Sequence, residues 1–328
     1  MAEWVLLAPQ RAERPHGYVA SPDGGGAEAT QLSCPFCPGN EHETPPEVTR
    51  YAAEDGGWLV RAFPNRFPAL SPDAAPPQAV PGAPYRARPG RGHHEVIVET
   101  PRHGVRLADM APAQLGLILR MYRERFRALA IRPGVREVVL FKNEGEAAGA
   151  SLAHAHAQVV GLPLQSPLQR RRLRVARDHF RRHGVGPCQA LREREVADGV
   201  RIVGHVGDMV LLHPYASRAL HETWLIPTVA GGSLAAAGDG LLDDAAGALA
   251  HATRLLRAAV GPAAFNVVLH SAMPRDAARP ELLWYLQLIP RLTRNAGFEF
   301  TSGLQLSAAQ PEATAAQWRE LAGQLDLP

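Results

Sequence analysis

His154, His156 and Gln158 stand at alternate positions in Gly149-Ala150-Ser151-Leu152-Ala153-His154-Ala155-His156-Ala157-Gln158, a run that closes on Pro163. Side chains at i, i+2 and i+4 of an extended strand point to one face. The spacing therefore predicts a strand over 155–162 that lines one surface with two imidazoles and an amide. The intervening alanines are small enough to leave room for a ligand. A neutral imidazole, with a reference pKa of ~6.5, is nucleophilic at neutral pH without a separate base. The competing reading is a core strand whose histidines are satisfied by hydrogen bonds.

Cys34-Pro35-Phe36-Cys37 is the second chemical signal. A redox dithiol normally follows a strand and opens a helix, whose N-terminus lowers the thiol pKa. Here Pro38-Gly39-Asn40 follows and predicts a turn, which favours a two-thiolate metal knuckle. A tetrahedral zinc needs two further ligands. On spacing alone His42, His93, His94, His103, His154 and His156 all remain candidates.

Hydrophobic and polar patterning supplies the elements that must hold these groups. Strands are expected at Val5–Leu7, Trp58–Phe63, His94–Glu99 and Val135–Phe141. A proline- and alanine-rich loop covers 72–89. Asp109 is placed to cap a helix over Pro112–Ala130 with Leu115, Leu117, Ile118, Met121 and Phe126 as its apolar stripe. Residues 143–149 read as a glycine- and alanine-rich turn. The second half appears in the same order: strands at 209–212 and 221–227, a helix over 241–260, then strands at 265–270 and 283–290. Aligning Pro163 on Pro290 sets His156 over Leu283 and Gln158 over Tyr285, so a duplicated second half would lack the histidine.

The bulk composition bounds the reading. With 328 residues, 46% hydrophobic and 20% charged, the chain has the make-up of a soluble protein of two domains or one large one. A net charge of +3 and a pI near 9.0 argue only weakly for a polyanionic partner. The segment 170–182 holds seven arginines but lacks the interleaved aromatics of a base-stacking surface. It reads as a solvated helix, and no nucleic-acid partner is expected. Three cysteines do not make a secreted disulfide framework. The first apolar run stops at Pro9, and no stretch is long enough to span a bilayer. A cytoplasmic protein without a membrane partner is expected.

Several motifs in register carry a resemblance. They are Cys34 through Asn40, Phe63-Pro64-Asn65-Arg66-Phe67-Pro68-Ala69-Leu70, His94 through Val98, Phe141-Lys142-Asn143-Glu144-Gly145 and Ser151 through Pro163. Glu222-Thr223-Trp224, Pro290 through Arg294 and Ala296-Gly297-Phe298-Glu299 extend them. Together they resemble the galactose-1-phosphate uridylyltransferase family, the transferase branch of the histidine-triad superfamily, which includes ADP-sugar phosphorylase-like members. The resemblance implies an α+β fold of two histidine-triad-like halves, each an antiparallel sheet with helices, from an internal duplication. It implies an N-terminal catalytic and zinc-binding domain over 1–170, a C-terminal domain with a degenerate site over 171–328, and a homodimer.

It also implies roles. Cys34, Cys37, His103 and His154 would bind one Zn²⁺, and His156 would be the nucleophile with Gln158 on the phosphoryl group. Asn143 and Ser151 match phosphate-binding positions, Asn65 a nucleotide-binding position, and Arg11 and Arg14 arginines near the nucleotide. Many members carry a second, structural metal site. Here Cys188 is followed at +3 by Leu191, and the His-Trp-His position reads Leu283-Trp284-Tyr285, so that site is expected to be lost.

The activity expected is transfer of a nucleoside monophosphate from an NDP-hexose to a sugar 1-phosphate through a nucleotidyl-histidine, of the UDP-glucose:hexose-1-phosphate uridylyltransferase type. An NDP-sugar (ADP-sugar) phosphorylase using inorganic phosphate is the first alternative. A nucleotide-binding protein without catalysis is the second. Glutamine in place of a third histidine suits transfer to phosphate, because an amide cannot protonate a leaving group as imidazolium can.

Overall fold

The computed structural model describes residues 5–14, 34–77 and 87–325. Residues 78–86 of the expected 72–89 loop lie outside these. Ten strands form one sheet: β1 (Thr49–Ala52), β2 (Trp58–Pro64), β3 (His93–Val98), β4 (Glu137–Glu144), β5 (His156–Leu162), β6 (Ile202–Val206), β7 (Met209–Leu212), β8 (Thr223–Pro227), β9 (Phe265–His270) and β10 (Tyr285–Pro290). Their spatial order is β1-β2-β3-β5-β4-β9-β10-β8-β7-β6, and the neighbouring strands pair antiparallel. Read outward from the β4–β9 seam, the two halves have the same order. The repeat expected from the sequence is present at the level of topology, but the two sheets are joined edge to edge into one. Pairing β4 with β9 removes the two exposed edges that separate sheets would carry.

Helix α1 (Pro112–Ala130) connects β3 to β4, and the longer α4 (Asp239–Val260) connects β8 to β9. Proline at the first turn of α1 starts it without losing a hydrogen bond. Leu115, Ile118, Leu119, Tyr122, Phe126 and Leu129 recur at helical spacing and are buried. They meet Leu242, Ala245, Leu249 and Leu256 of α4 in a core shared by both halves of the sheet. The other face of the sheet is covered at one end by the cysteine turn, where Cys34, Phe36 and Cys37 pack on Trp58, Phe63, Val96 and Val98. At the other end Cys188 and Leu191 of α3 (Pro187–Asp198) pack with Tyr285 and Leu283 in an apolar cluster. Helix α2 (Pro167–His183) precedes α3 and is capped by Ser166, whose Oγ accepts the Gln169 N–H. Short α5 (Gly297–Ser302) and α6 (Pro311–Gln324) end the chain.

Three local expectations change. Val5–Leu7 is exposed chain outside any strand, with no ladder partner among the described residues. The N-cap of α1 is Ala111, without a side-chain cap, and Asp109 sits in a 3₁₀ turn paired with Arg257 of α4. Proline at the first turn makes a side-chain cap at that helix start less necessary. The proline alignment of the halves shifts by two residues. A single cross-sheet row runs Val96, Gln158, Phe141, Val268, Gln287, Trp224. Gln287 is thus the counterpart of Gln158, and Tyr285 that of His156. Pro163 follows the end of β5, whereas β10 continues through Pro290, so the prolines mark different positions.

The pleat divides β5 between the two faces. His156 and Gln158 lie on the face away from α1, and Ala157, 1% exposed, points into the helix-covered core opposite Ile97 and Lys142. Ala157→Leu should overpack this layer at a cost of ~1–3 kcal/mol and lower Tm by about 2–6 °C. Calorimetry checks it, and an unchanged melt would contradict the tight packing.

Candidate active site and metal centre

The approach to β5 is set by two glycines. Gly145 (φ 85°) and Gly149 (φ 89°) bracket a 3₁₀ turn over Glu146–Ala148. A Cβ on Gly145 would come 2.8 Å from Ala264 Cβ, so only glycine fits there. The chain then passes Ser151 and Leu152 before His154, which lies just ahead of β5 and is fully buried.

Both ring nitrogens of His154 are engaged. Nε2–H donates to the Thr100 carbonyl at 2.7 Å, which leaves the lone pair on Nδ1. That atom lies 3.7 Å from Cys34 Sγ and 3.5 Å from Cys37 Sγ. His103 Nδ1 is 3.3 Å from Cys37 Sγ. The four ligand atoms all lie within 4.8 Å of one another. Tetrahedral bonds of ~2.3 Å to sulfur and ~2.05 Å to nitrogen put sulfur and nitrogen ~3.6 Å apart, so the spacing fits a first-row dication. Burial and the neighbouring Cys34 push the Cys37 thiol up to about 12. Burial likewise raises Cys34. Two buried thiols of this kind become thiolates only beside a cation. Among the six histidines open on spacing, the fold brings His103 and His154 to the thiols. The backbone carbonyl of Thr100, which orients His154 from outside the ligand set, had no sequence signal.

His156 begins β5. Its Nδ1–H donates to the His154 carbonyl at 2.8 Å, so Nε2 holds the lone pair. Burial, opposed by that hydrogen bond and aided by Lys142 and Arg14, lowers its pKa to about 4. The ring is therefore neutral at pH 7. The edge of Phe36, from the cysteine turn, packs on it at 5.3 Å between centroids.

His156 opens onto a cavity of about 360 Å³. Its walls include Arg14, Asn65, Ser151 and Gln158, four residues expected from the sequence. Phe36, Phe63, Arg66 and Phe67 also line it. Phe36 lies inside the cysteine motif, but neither its spacing nor that of Arg66 announced a wall.

Two expected residues stand off the cavity walls. Arg11 donates to the Phe67 carbonyl at 3.1 Å and so braces the wall from behind. Asn143 lies at the end of β4, where Nδ2 donates to the Gly149 carbonyl at 3.3 Å and Oδ1 accepts from Asn266 Nδ2 at 2.8 Å. Asn266 comes from β9 in the second half. Only the seam between the halves brings it here, so the sequence reading missed it.

The model for the N-terminal domain of galactose-1-phosphate uridyl transferase matches residues 1–164. ADP-glucose phosphorylase of Arabidopsis thaliana is 30% identical over 323 residues, 97% of this chain and 90% of that protein. The chain belongs to the galactose-1-phosphate uridyl transferase family. Galactose-1-phosphate uridylyltransferase of Haemophilus influenzae is 27% identical over 226 residues, 69% of this chain and 62% of that protein. The crystal structure of the Arabidopsis ADP-glucose phosphorylase with bound ADP-glucose matches with a TM-score of 0.78 at 28% identity, covering 95% of this chain and 94% of that one. Among the described residues, no helix is long and apolar enough to cross a membrane.

His103→Ala should remove one of four ligands, lower the bound metal per chain by half or more, and reduce Tm. Elemental analysis of the purified chain measures it. Undiminished metal content would exclude His103 from the site.

Proposed function

We propose that the chain is a nucleotidyltransferase that works through a nucleotidyl-histidine at His156, with inorganic phosphate as acceptor: an NDP-sugar phosphorylase of the ADP-sugar type. In the first step His156 Nε2 forms a bond to the α-phosphorus of an NDP-hexose while the phosphorus–oxygen bond to the hexose 1-phosphate breaks. In the second, a phosphate oxygen attacks the same phosphorus and the phosphorus–nitrogen bond breaks, releasing NDP. The observation that carries this reading is the state of His156. It is a neutral ring with one nitrogen tied to backbone and the other free, on the wall of a nucleotide-sized cavity. Gln158, Ser151 and Asn65 are neutral polar groups on that wall, and Arg14 brings positive charge for phosphate.

The acceptor reading is supported by the Arabidopsis phosphorylase, which matches along nearly the whole of both chains. A uridylyltransferase with a hexose 1-phosphate acceptor is the second reading. The match of the family model over residues 1–164 and of the Haemophilus enzyme over 69% of the chain favours it. Zinc is the proposed occupant of Cys34, Cys37, His103 and His154. It would supply a fixed anchor at the start of β5 rather than an electrophile. We further propose a cytoplasmic homodimer without a nucleic-acid partner, and a division of the chain near residue 170.

Intact mass after incubation with ADP-glucose or UDP-glucose should rise by one nucleoside monophosphate. His156→Gly should abolish the adduct and leave the thermal melt within a few degrees. Normal turnover in that variant would refute the nucleophile. Phosphate should discharge the isolated adduct faster than galactose 1-phosphate. The reverse preference would replace the phosphorylase reading with the uridylyltransferase one, and a chain that never forms an adduct would be a non-catalytic nucleotide binder.

A further inference from the structure

The amide of Gln158 can face the cavity with its oxygen or with its nitrogen. Only the nitrogen end can donate hydrogen bonds to a phosphoryl oxygen. The neighbouring ring decides between them. The Ala69 N–H donates to His94 Nδ1 at 2.9 Å, so that nitrogen carries no hydrogen. In a neutral ring the hydrogen is then on Nε2. Burial lowers the His94 pKa to about 4, so the ring is neutral at pH 7. His94 Nε2 lies 2.9 Å from Gln158 Oε1. A reversed amide would set two donors face to face. Asn65 Nδ2 also lies 3.2 Å from His94 Nε2. Asn65 Oδ1 accepts from the Phe67 N–H at 2.8 Å, which leaves the Gln158 oxygen as the acceptor at His94 Nε2.

We propose that His94 is a positioning residue for nucleotidyl transfer: it holds the Gln158 oxygen so that the amide N–H groups face the phosphoryl group on His156. This rests on the transfer chemistry proposed above. The relay begins in the cavity wall itself. The 65–69 segment fixes the His94 tautomer through Ala69, and its Asn65 N–H donates to the His94 carbonyl at 2.8 Å. A disturbance of that wall is thus passed to the transferring phosphorus through one ring and one amide. His94 itself need not touch the substrate.

The test is the rate of adduct formation by the full chain at saturating ADP-glucose, or UDP-glucose if only that labels it, in His94→Phe, His94→Gln, Gln158→Ala and the His94→Phe/Gln158→Ala double variant. His94→Phe keeps a planar ring and removes the donor. It should slow the step ~10-fold with little change in nucleotide-sugar affinity. His94→Gln retains an N–H donor and should recover most of the rate. In the Gln158→Ala background His94→Phe should add less than about a twofold loss, because the residue it acts through is gone. An equal loss in both backgrounds, or no loss from His94→Phe, overturns the proposal. If His94→Phe does not fold, His94→Leu replaces it in the same cycle. A wild-type chain that forms no adduct with either sugar nucleotide overturns the transfer reading, and this inference with it.

Discussion

One residue ties the Cys34–Cys37 thiols to His156. The His154 ring points Nδ1 at two thiols and gives Nε2–H to Thr100, while its own backbone carbonyl takes the Nδ1–H of His156. A shift of the backbone at His154 would therefore disturb both the thiol contacts of its ring and the tautomer of His156. The cysteine turn acts a second time through Phe36, whose ring edge rests on both imidazoles. A cation held by the four donors would fix the pose of His156 from outside the cavity walls.

Beneath that strand the sheet buries an ion pair. Lys142, from β4, is 2% exposed on the helix-covered face and donates to Glu99 at 2.5 Å. Glu99 also accepts from Tyr122 of α1, and its carbonyl accepts from Gln114 at 2.6 Å. Removing one partner of a buried ion pair typically costs ~3–5 kcal/mol, because the other charge is left unpaired. The pair joins β3 to β4 across β5. It also puts positive charge near His156, which helps keep that ring neutral. Packing on one face and the charge state of His156 on the other are thus coupled through the thickness of a single sheet.

What the sequence made legible was local. Alternation placed His156 and Gln158 on one face, though His154 lies ahead of β5 at the thiols, and the helical stripe of α1 and the strand–helix–strand order of both halves were visible as periodicity. Long-range facts were not. Spacing left six histidines open as metal ligands, because proximity of His103 to Cys37 depends on how β3 turns at Thr100. Asn266 gave no signal, because its contact with Asn143 exists only across the β4–β9 seam. The proline alignment of the halves failed because a proline marks where a strand can stop, not where its row in the sheet begins.

The corrected row gives the second half a physical meaning. Gln158 and Gln287 occupy matching places, yet their amides are oriented in opposite ways. In the second half Glu222 takes the nitrogen of Gln287, and the oxygen accepts from His270 at 2.6 Å. Arg172 closes the far side of His270. Both ends of that amide are engaged within the protein, and Tyr285 stands where the first half has His156. In the first half, a histidine at the place of Glu222 takes the oxygen instead and frees the nitrogen. A carboxylate in one half and an imidazole in the other thus set which end of the matching glutamine amide is turned toward the neighbouring strand.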